Sequence, residues 1–319
     1  MHLVVGFNGW LGWQYFFTVL FTGLSAGSLY ALIALGYSLV YGVLKLLNFA
    51  HGDVFMVGAY IGYFVLTALG WPLSPKMPLA PLLLLAFAAA MLGCALLGAT
   101  IERFAYRPLR KAPRIAPLIS ALGVSFFLQQ TAVLLWSPNP RTYNTYGFHN
   151  AELLLPHGVS NVRFSYAQLL VVLSAAVLMV ALSLFVWKTR TGKAMRAVSV
   201  DPEAASMMGI DVDRVIMVTF LLGSALAGAA GVMTGVLYSQ FDPYMGLGYG
   251  LKAFIAAVVG GIGNIGGAVL GGLLVGLIEA FTGAYLTTSF SDLIVFSVLI
   301  IVMLVRPTGI RGVPVLQKV

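Results

Sequence analysis

His51 and Asp53 stand two positions apart beside an apolar run, in the stretch Asn48-Phe49-Ala50-His51-Gly52-Asp53. A charged side chain at membrane depth is costly enough to mark function. A proton relay needs further acids or imidazoles, and no second one lies nearby in the sequence. The pair fits a gate or a helix cap, with Asp53 accepting backbone hydrogen bonds at the start of a helix from Val54. Glu279 lies near the end of another apolar run. Placement at the membrane boundary lowers the cost of its charge, so it reads as interfacial rather than catalytic. No Ser, His and Asp combination makes a hydrolytic site, and no spacing of ligand residues suits a metal. The Gly192-Lys193 pair lacks the upstream glycine and the following hydroxyl residue of a nucleotide-binding P-loop. The chain does not read as an enzyme and calls for no cofactor. If ATP drives it, another chain binds the nucleotide.

Two interruptions offer a different chemistry. One is Asn48 to Asp53; the other is Gly260-Gly261-Ile262-Gly263-Asn264-Ile265-Gly266-Gly267. A broken helix exposes amides and carbonyls that can replace a solute's hydration, and paired breaks in two halves of a chain point to a transport site. Asn48, His51, Asp53, Gly263 and Asn264 are therefore candidates for bordering a translocation path. Ordinary interhelical turns, for which Asn and Gly supply the geometry, remain the alternative.

A third signal lies between Lys188 and Arg214. Asp201 can cap a short helix, Pro202 can occupy its first position, Glu203 its first turn, and Gly209 can end it. Held between membrane segments, that helix could transmit force from a soluble partner. A solvated amphipathic connector is the other reading.

The elements that must position these residues are membrane helices. Of 319 residues, 60% are hydrophobic and 9% charged, against about 25% charged in soluble domains, so the bilayer is the natural solvent. A span needs about 20 mostly apolar residues. Such runs occupy Phe16 to Leu44, Val54 to Leu69, Leu79 to Ile101, Ile115 to Trp136, Ala167 to Trp187, Val215 to Tyr238, Lys252 to Ala280 and Leu293 to Val305. The expectation is an all-α polytopic membrane bundle of about eight segments, the first and seventh broken or re-entrant. It forms a single domain over residues 1–319, with the loop 188–214 inside it. Met1 to Trp13 shows no basic n-region and no small-residue cleavage site, so the first segment is expected to stay.

The net charge of +8 does not indicate nucleic acid, because the bases cluster between apolar runs, where they mark cytoplasmic loops. The loops Arg103 to Arg114 and Lys188 to Arg214 should both be cytoplasmic. Eight simple crossings would then leave the tail with Arg306, Arg311 and Lys318 outside, against its charge. One irregular segment must contribute an extra or incomplete crossing, and the sequence does not say which. Small residues recur every four positions at Gly23, Gly27 and Ala31, at Gly58 and Gly62, at Gly223, Ala227, Gly231 and Gly235, at Gly267 and Gly271, and at Gly272 and Gly276. Such stripes let helix backbones approach in lipid. The single cysteine, Cys94, lies in an apolar run and reads as a packing residue.

Several ordered motifs resemble the permease family of ABC importers for branched-chain amino acids, in particular the subunit type with a short N-terminus. They are Gly27-Ser28-Leu29-Tyr30-Ala31-Leu32, the Asn48 to Asp53 stretch, Glu102-Arg103-Phe104-Ala105-Tyr106-Arg107-Pro108-Leu109-Arg110, the Gly192 to Arg214 loop, Asp242-Pro243-Tyr244 and the Gly260 to Gly267 run. The resemblance covers nearly the whole chain. It implies a subunit of a bacterial cytoplasmic (inner) membrane importer, paired with a second related permease, two ATP-binding subunits and a periplasmic or extracellular solute-binding protein. Within it, Asp201, Glu203, Ala204, Ala205 and Gly209 would form the segment that contacts the ATPase. The implied solutes are leucine, isoleucine and valine, with selection resting largely on the binding protein. Relatives of the fold handle other amino acids, amides or urea. An ion-coupled secondary transporter, or a passive channel for a small polar solute, is the alternative from another class.

Overall fold

A computed structural model describes residues 9–71, 78–110, 112–113, 115–143 and 165–312. Its long helices are α1 (Gly9–Leu44), α2 (His51–Ala68), α3 (Leu79–Ile101), α4 (Ile115–Trp136), α5 (Tyr166–Lys188), α8 (Val212–Tyr238), α9 (Met245–Gly260), α10 (Ile265–Tyr285) and α11 (Ser291–Val305). Two short helices, α6 (Arg190–Val200) and α7 (Pro202–Met207), lie between α5 and α8. Among the described residues, seven helices (α1, α3, α4, α5, α8, α10 and α11) belong to segments long and apolar enough to cross a membrane. In lipid each backbone polar group needs an internal partner, which a continuous helix supplies. Where helices begin, side chains take over that task. Ser165 and Gln168 form a capping box at α5, Asp211 accepts from the Arg214 amide at 3.0 Å, and Thr189 accepts from the Gly192 amide at 3.0 Å.

One end of the bundle gathers the basic segments. The Tyr106 hydroxyl, just past α3, reaches Asn48 beyond the end of α1. Arg107 pairs with Asp213 at the start of α8, and the Arg311 amide donates to the Gly260 carbonyl at 2.9 Å. The connections after α3 and α5 and the described part of the tail thus share a side, the basic one that the sequence pattern expects to face the cytoplasm. At the opposite end, Tyr15 of α1 donates to the Ala284 carbonyl of α10 at 3.1 Å. There β1 (Arg141–Thr142) and β2 (Gln240–Phe241) also form a two-residue antiparallel ladder, Arg141 opposite Phe241.

The crossing problem resolves at the seventh predicted run. It is two antiparallel helices, α9 and α10, turning at Gly261 to Asn264 on the basic side. Nine helices then run between the ends among the described residues, an odd number, so the tail returns to the basic side. Three of the nine are short. α2 has 18 residues, α9 has 16 and α11 has 15, about 27, 24 and 22 Å by helical rise, against a hydrocarbon core of about 30 Å. Of these, α2 and α9 begin inside the bundle. His51 lies against Gly36 of α1, and Gly246 lies against Gly52 and Asp53.

The centre is built from α1 and α8, whose spans are 78% and 72% buried, while α11 at 11% lies at the periphery. The small-residue stripes sit where these central helices meet. Gly23 and Gly27 face Leu277 and Leu273 of α10, and Gly272 abuts Ala31; Gly58 meets Gly228, and Gly231 meets Phe55 and Ala59. A Cβ at Gly58 would stand 2.6 Å from the Gly228 Cα. The stripes therefore gain dispersion contacts between backbones, the attraction available when lipid is as apolar as a side chain.

Candidate functional site

At the α1–α2 break, chain residues 45–50 lead from the end of α1 back into the bundle, and the three polar residues of the motif are buried there. Asn48 accepts a hydrogen bond from the Tyr106 hydroxyl at 2.9 Å. His51, the first residue of α2, lies edge-on to Tyr37 with ring centroids 4.9 Å apart, and its Nε2 finds no partner among the described residues. Asp53 does not cap α2, contrary to the sequence expectation. The helix starts at His51, three residues before Val54, with Ala50 in the cap position and no side-chain cap. The Asp53 carboxylate instead accepts from the Ser125 hydroxyl and from Gln129 Nε2, the latter at 2.9 Å, both on α4. A buried carboxylate needs such donors more than a helix terminus needs one extra acceptor.

The second break holds the other two candidates. Gly263 has φ +89 and lies against Gly42 of α1, a left-handed conformation that a glycine adopts without steric cost. Asn264 caps α10, accepting from the Gly267 amide at 3.0 Å, and donates to the Arg311 carbonyl at 3.0 Å. The structure thus gathers Asn48, His51 and Asp53 at one break. It places Gly263 and Asn264 at the α9–α10 turn on the basic side, tied to α1 and the tail.

Between α5 and α8, Asp201 accepts from the amides of Glu203 and Ala204, each at 3.0 Å, with Pro202 at the first position of α7. Gly209 has φ +82 and follows the end of that helix. Ala205 is buried; Glu203, Ala204 and Gly209 are exposed. Met207 and Met208 are each 82% exposed and Val200 87%, an apolar tip on the basic end that the sequence reading did not single out. Behind it α6 packs on α1, α5 and α8.

Two further networks escaped the sequence. Past α3 the chain makes a π-turn (Glu102–Tyr106) and then a 3-10 turn. This aims Arg107 and Arg110 at Asp213 of α8, while Arg110 also binds buried Glu102. On the opposite side, Glu279 of α10 accepts from the Tyr30 hydroxyl at 2.5 Å and pairs with Lys252 of α9 at 2.6 Å; Lys252 also reaches Asp292 of α11 at 2.9 Å. The available signal was a pair of opposite charges, Lys252 and Glu279, inside one predicted apolar run. Only a reversal of the chain between them brings them together.

Among the described residues no group of three His, Cys, Asp or Glu side chains could hold a metal.

Residues 19–303 match the model of the family described as branched-chain amino acid transport system, permease component. The chain is 40% identical over 313 residues to the high-affinity branched-chain amino acid transport system permease protein LivH of Escherichia coli K12, covering 96% of this chain and 98% of the relative. It is 42% identical over 307 residues to the corresponding BraD protein of Pseudomonas aeruginosa, covering 94% and 97%. A probable LivH protein of Methanocaldococcus jannaschii is 28% identical over 293 residues, covering 90% and 89%. No solved structure matches the chain. With an apolar helical bundle matched by the family over residues 19–303, this multi-pass membrane chain belongs to the branched-chain amino acid transport permease family.

Proposed function

We propose that this chain is the membrane-spanning permease subunit of an ATP-driven importer of the ABC class in a bacterial cytoplasmic (inner) membrane. It passes leucine, isoleucine and valine handed over by a soluble binding protein on the outer side. It works with a second, related permease and with two ATP-binding subunits docked on the basic end. The observation that carries this reading is the likeness to LivH over 96% of the chain.

The geometry supplies a means. ATP binding draws the ATP-binding subunits together and displaces the α6–α7 segment. Asp201 holds the start of α7, Ala205 roots it, Glu203 and Ala204 face the partner, and Gly209 sets the exit angle. Motion passes through the packing of α6 on α1 and α8, and the Arg107–Asp213–Arg110 clamp carries α3 along with α8. The α1–α2 break, with Asn48, His51 and Asp53, borders the path, and the Gly263-Asn264 turn borders its inner exit. The bistable element is this central set of helices, whose two arrangements open to opposite sides.

Docking is tested by co-purification of the ATP-binding subunits with the chain. Glu203→Lys, Gly209→Pro and Met207→Asp with Met208→Asp should each lose the ATP-binding subunits while the permease still inserts and runs as a single species. Undiminished recovery of the ATP-binding subunits with all of these variants would defeat the assignment of the α7 segment.

A further inference from the structure

On the outer side a cavity of about 340 Å³ is lined by Tyr30, Tyr238, Tyr249, Asp242, Lys252 and Glu279. Its depth follows from its elements: Tyr238 is the last residue of α8, and Asp292, which reaches Lys252, lies in the first turn of α11. Lys252 faces Glu279 and Asp292, and Asp242 adds a third carboxylate. Within the lining one positive charge therefore stands against two negative ones, Glu279 and Asp242, with Asp292 on the far side of Lys252, in a hollow walled by tyrosine faces that favour a cation. The hydroxyls of Tyr238 and Tyr249 bond to no described residue, whereas that of Tyr30 is taken by Glu279. The rim is open, with Tyr238 44% and Tyr244 49% exposed. Lipid cannot cover an open group of ionised side chains without a large penalty, so water or a polar surface meets this side. An ion pair serving only to pin α9 to α10 and α11 requires neither the hollow nor the unbonded hydroxyls.

We propose that this cavity is an outer subsite for the head group of a zwitterionic amino acid. Glu279, Asp242 and the tyrosine faces receive the ammonium, and Lys252, which has three N–H donors and uses two on Glu279 and Asp292, turns the third to the carboxylate. This deepens the importer reading and rests on it. The aliphatic side chain of the solute stays against the Met245 and Gly248 wall.

The test uses Gly248→Cys in the full importer, reconstituted with its partner subunits, because a Cβ at Gly248 meets nothing within 4 Å. Cys94 is buried and stays silent. Small methanethiosulfonate reagents are added from outside. A trimethylammonium reagent should react about tenfold faster than a sulfonate of similar size, and Glu279→Gln should cut that ratio several-fold. Leucine-loaded binding protein with ATP should slow labelling several-fold, whereas binding protein without leucine should not. Equal rates for the two reagents, no labelling, or no leucine-dependent protection would overturn the subsite while the parent complex still accumulates leucine. Failure of the parent complex to accumulate leucine at all would sink the importer reading instead. Should Glu279→Gln not assemble, the charge preference in the Gly248→Cys chain alone decides.

Discussion

Asp53 enters the bundle with two neutral donors on another helix, Ser125 and Gln129 of α4. Removing its carboxylate strands both donors in a dry site, at an expected cost on the order of 2–4 kcal/mol. Asp53→Ala should lower the thermal unfolding midpoint in detergent well below that of Asp53→Asn, which keeps acceptor oxygen in place. Equal losses in the two would mean that charge rather than hydrogen bonding secures the site. Arg110 poses the sharper case. Glu102 has a side chain only 1% exposed, so Arg110→Ala leaves a buried carboxylate unpaired and should cost about 3 kcal/mol. Asp213, 48% exposed, should cost under about 1 kcal/mol when replaced by Ala. The sequence marked Asp53 as a residue of interest because a charge beside an apolar run is rare. Its partners, more than seventy positions away, carried no local sign, and neither did the meeting of Lys252 with Glu279.

At the scale of elements, close backbone approach governs. The α2–α8 contact admits no Cβ at Gly58, which would stand 2.6 Å from the Gly228 Cα, whereas Gly123 on α4 has nothing within 4 Å. Gly58→Val should abolish a monodisperse purified species, since overpacking here presses backbone on backbone and exceeds the usual few kcal/mol. Gly123→Ala should purify like the parent, and comparable behaviour of the two on size exclusion would refute the packing account. These stripes were legible because their four-residue spacing is local. Helices α3 and α4 match the predicted Leu79 to Ile101 and Ile115 to Trp136 runs residue for residue, since apolar composition changes abruptly at both ends. The seventh run, Lys252 to Ala280, reads in sequence as one interrupted element because both sides of its glycines are apolar. Only tertiary contacts, such as Gly267 on Gly260 and Gly271 on Ala256, reveal the reversal. The short α7 was legible for the opposite reason: its Asp, Pro and Gly are local stop and start signals.

At the scale of the molecule, the nine helical passes among the described residues place the α10–α11 connection and the segment after α11 on opposite sides. A cysteine at Thr287 should react with an impermeant thiol reagent in intact cells, and one at Arg306 only after permeabilisation. Reaction of both from outside would restore an even crossing count and remove the α9–α10 hairpin. The central claim concerns what this topology serves: energy from a separate nucleotide-binding chain moves a delivered solute through the bundle. Its most direct test is uptake of labelled leucine by proteoliposomes holding the chain with its partner subunits, binding protein outside and ATP trapped within. The account predicts accumulation that requires both ATP and binding protein and that persists when ion gradients are collapsed. Accumulation that proceeds without ATP and disappears with an ion gradient would contradict it.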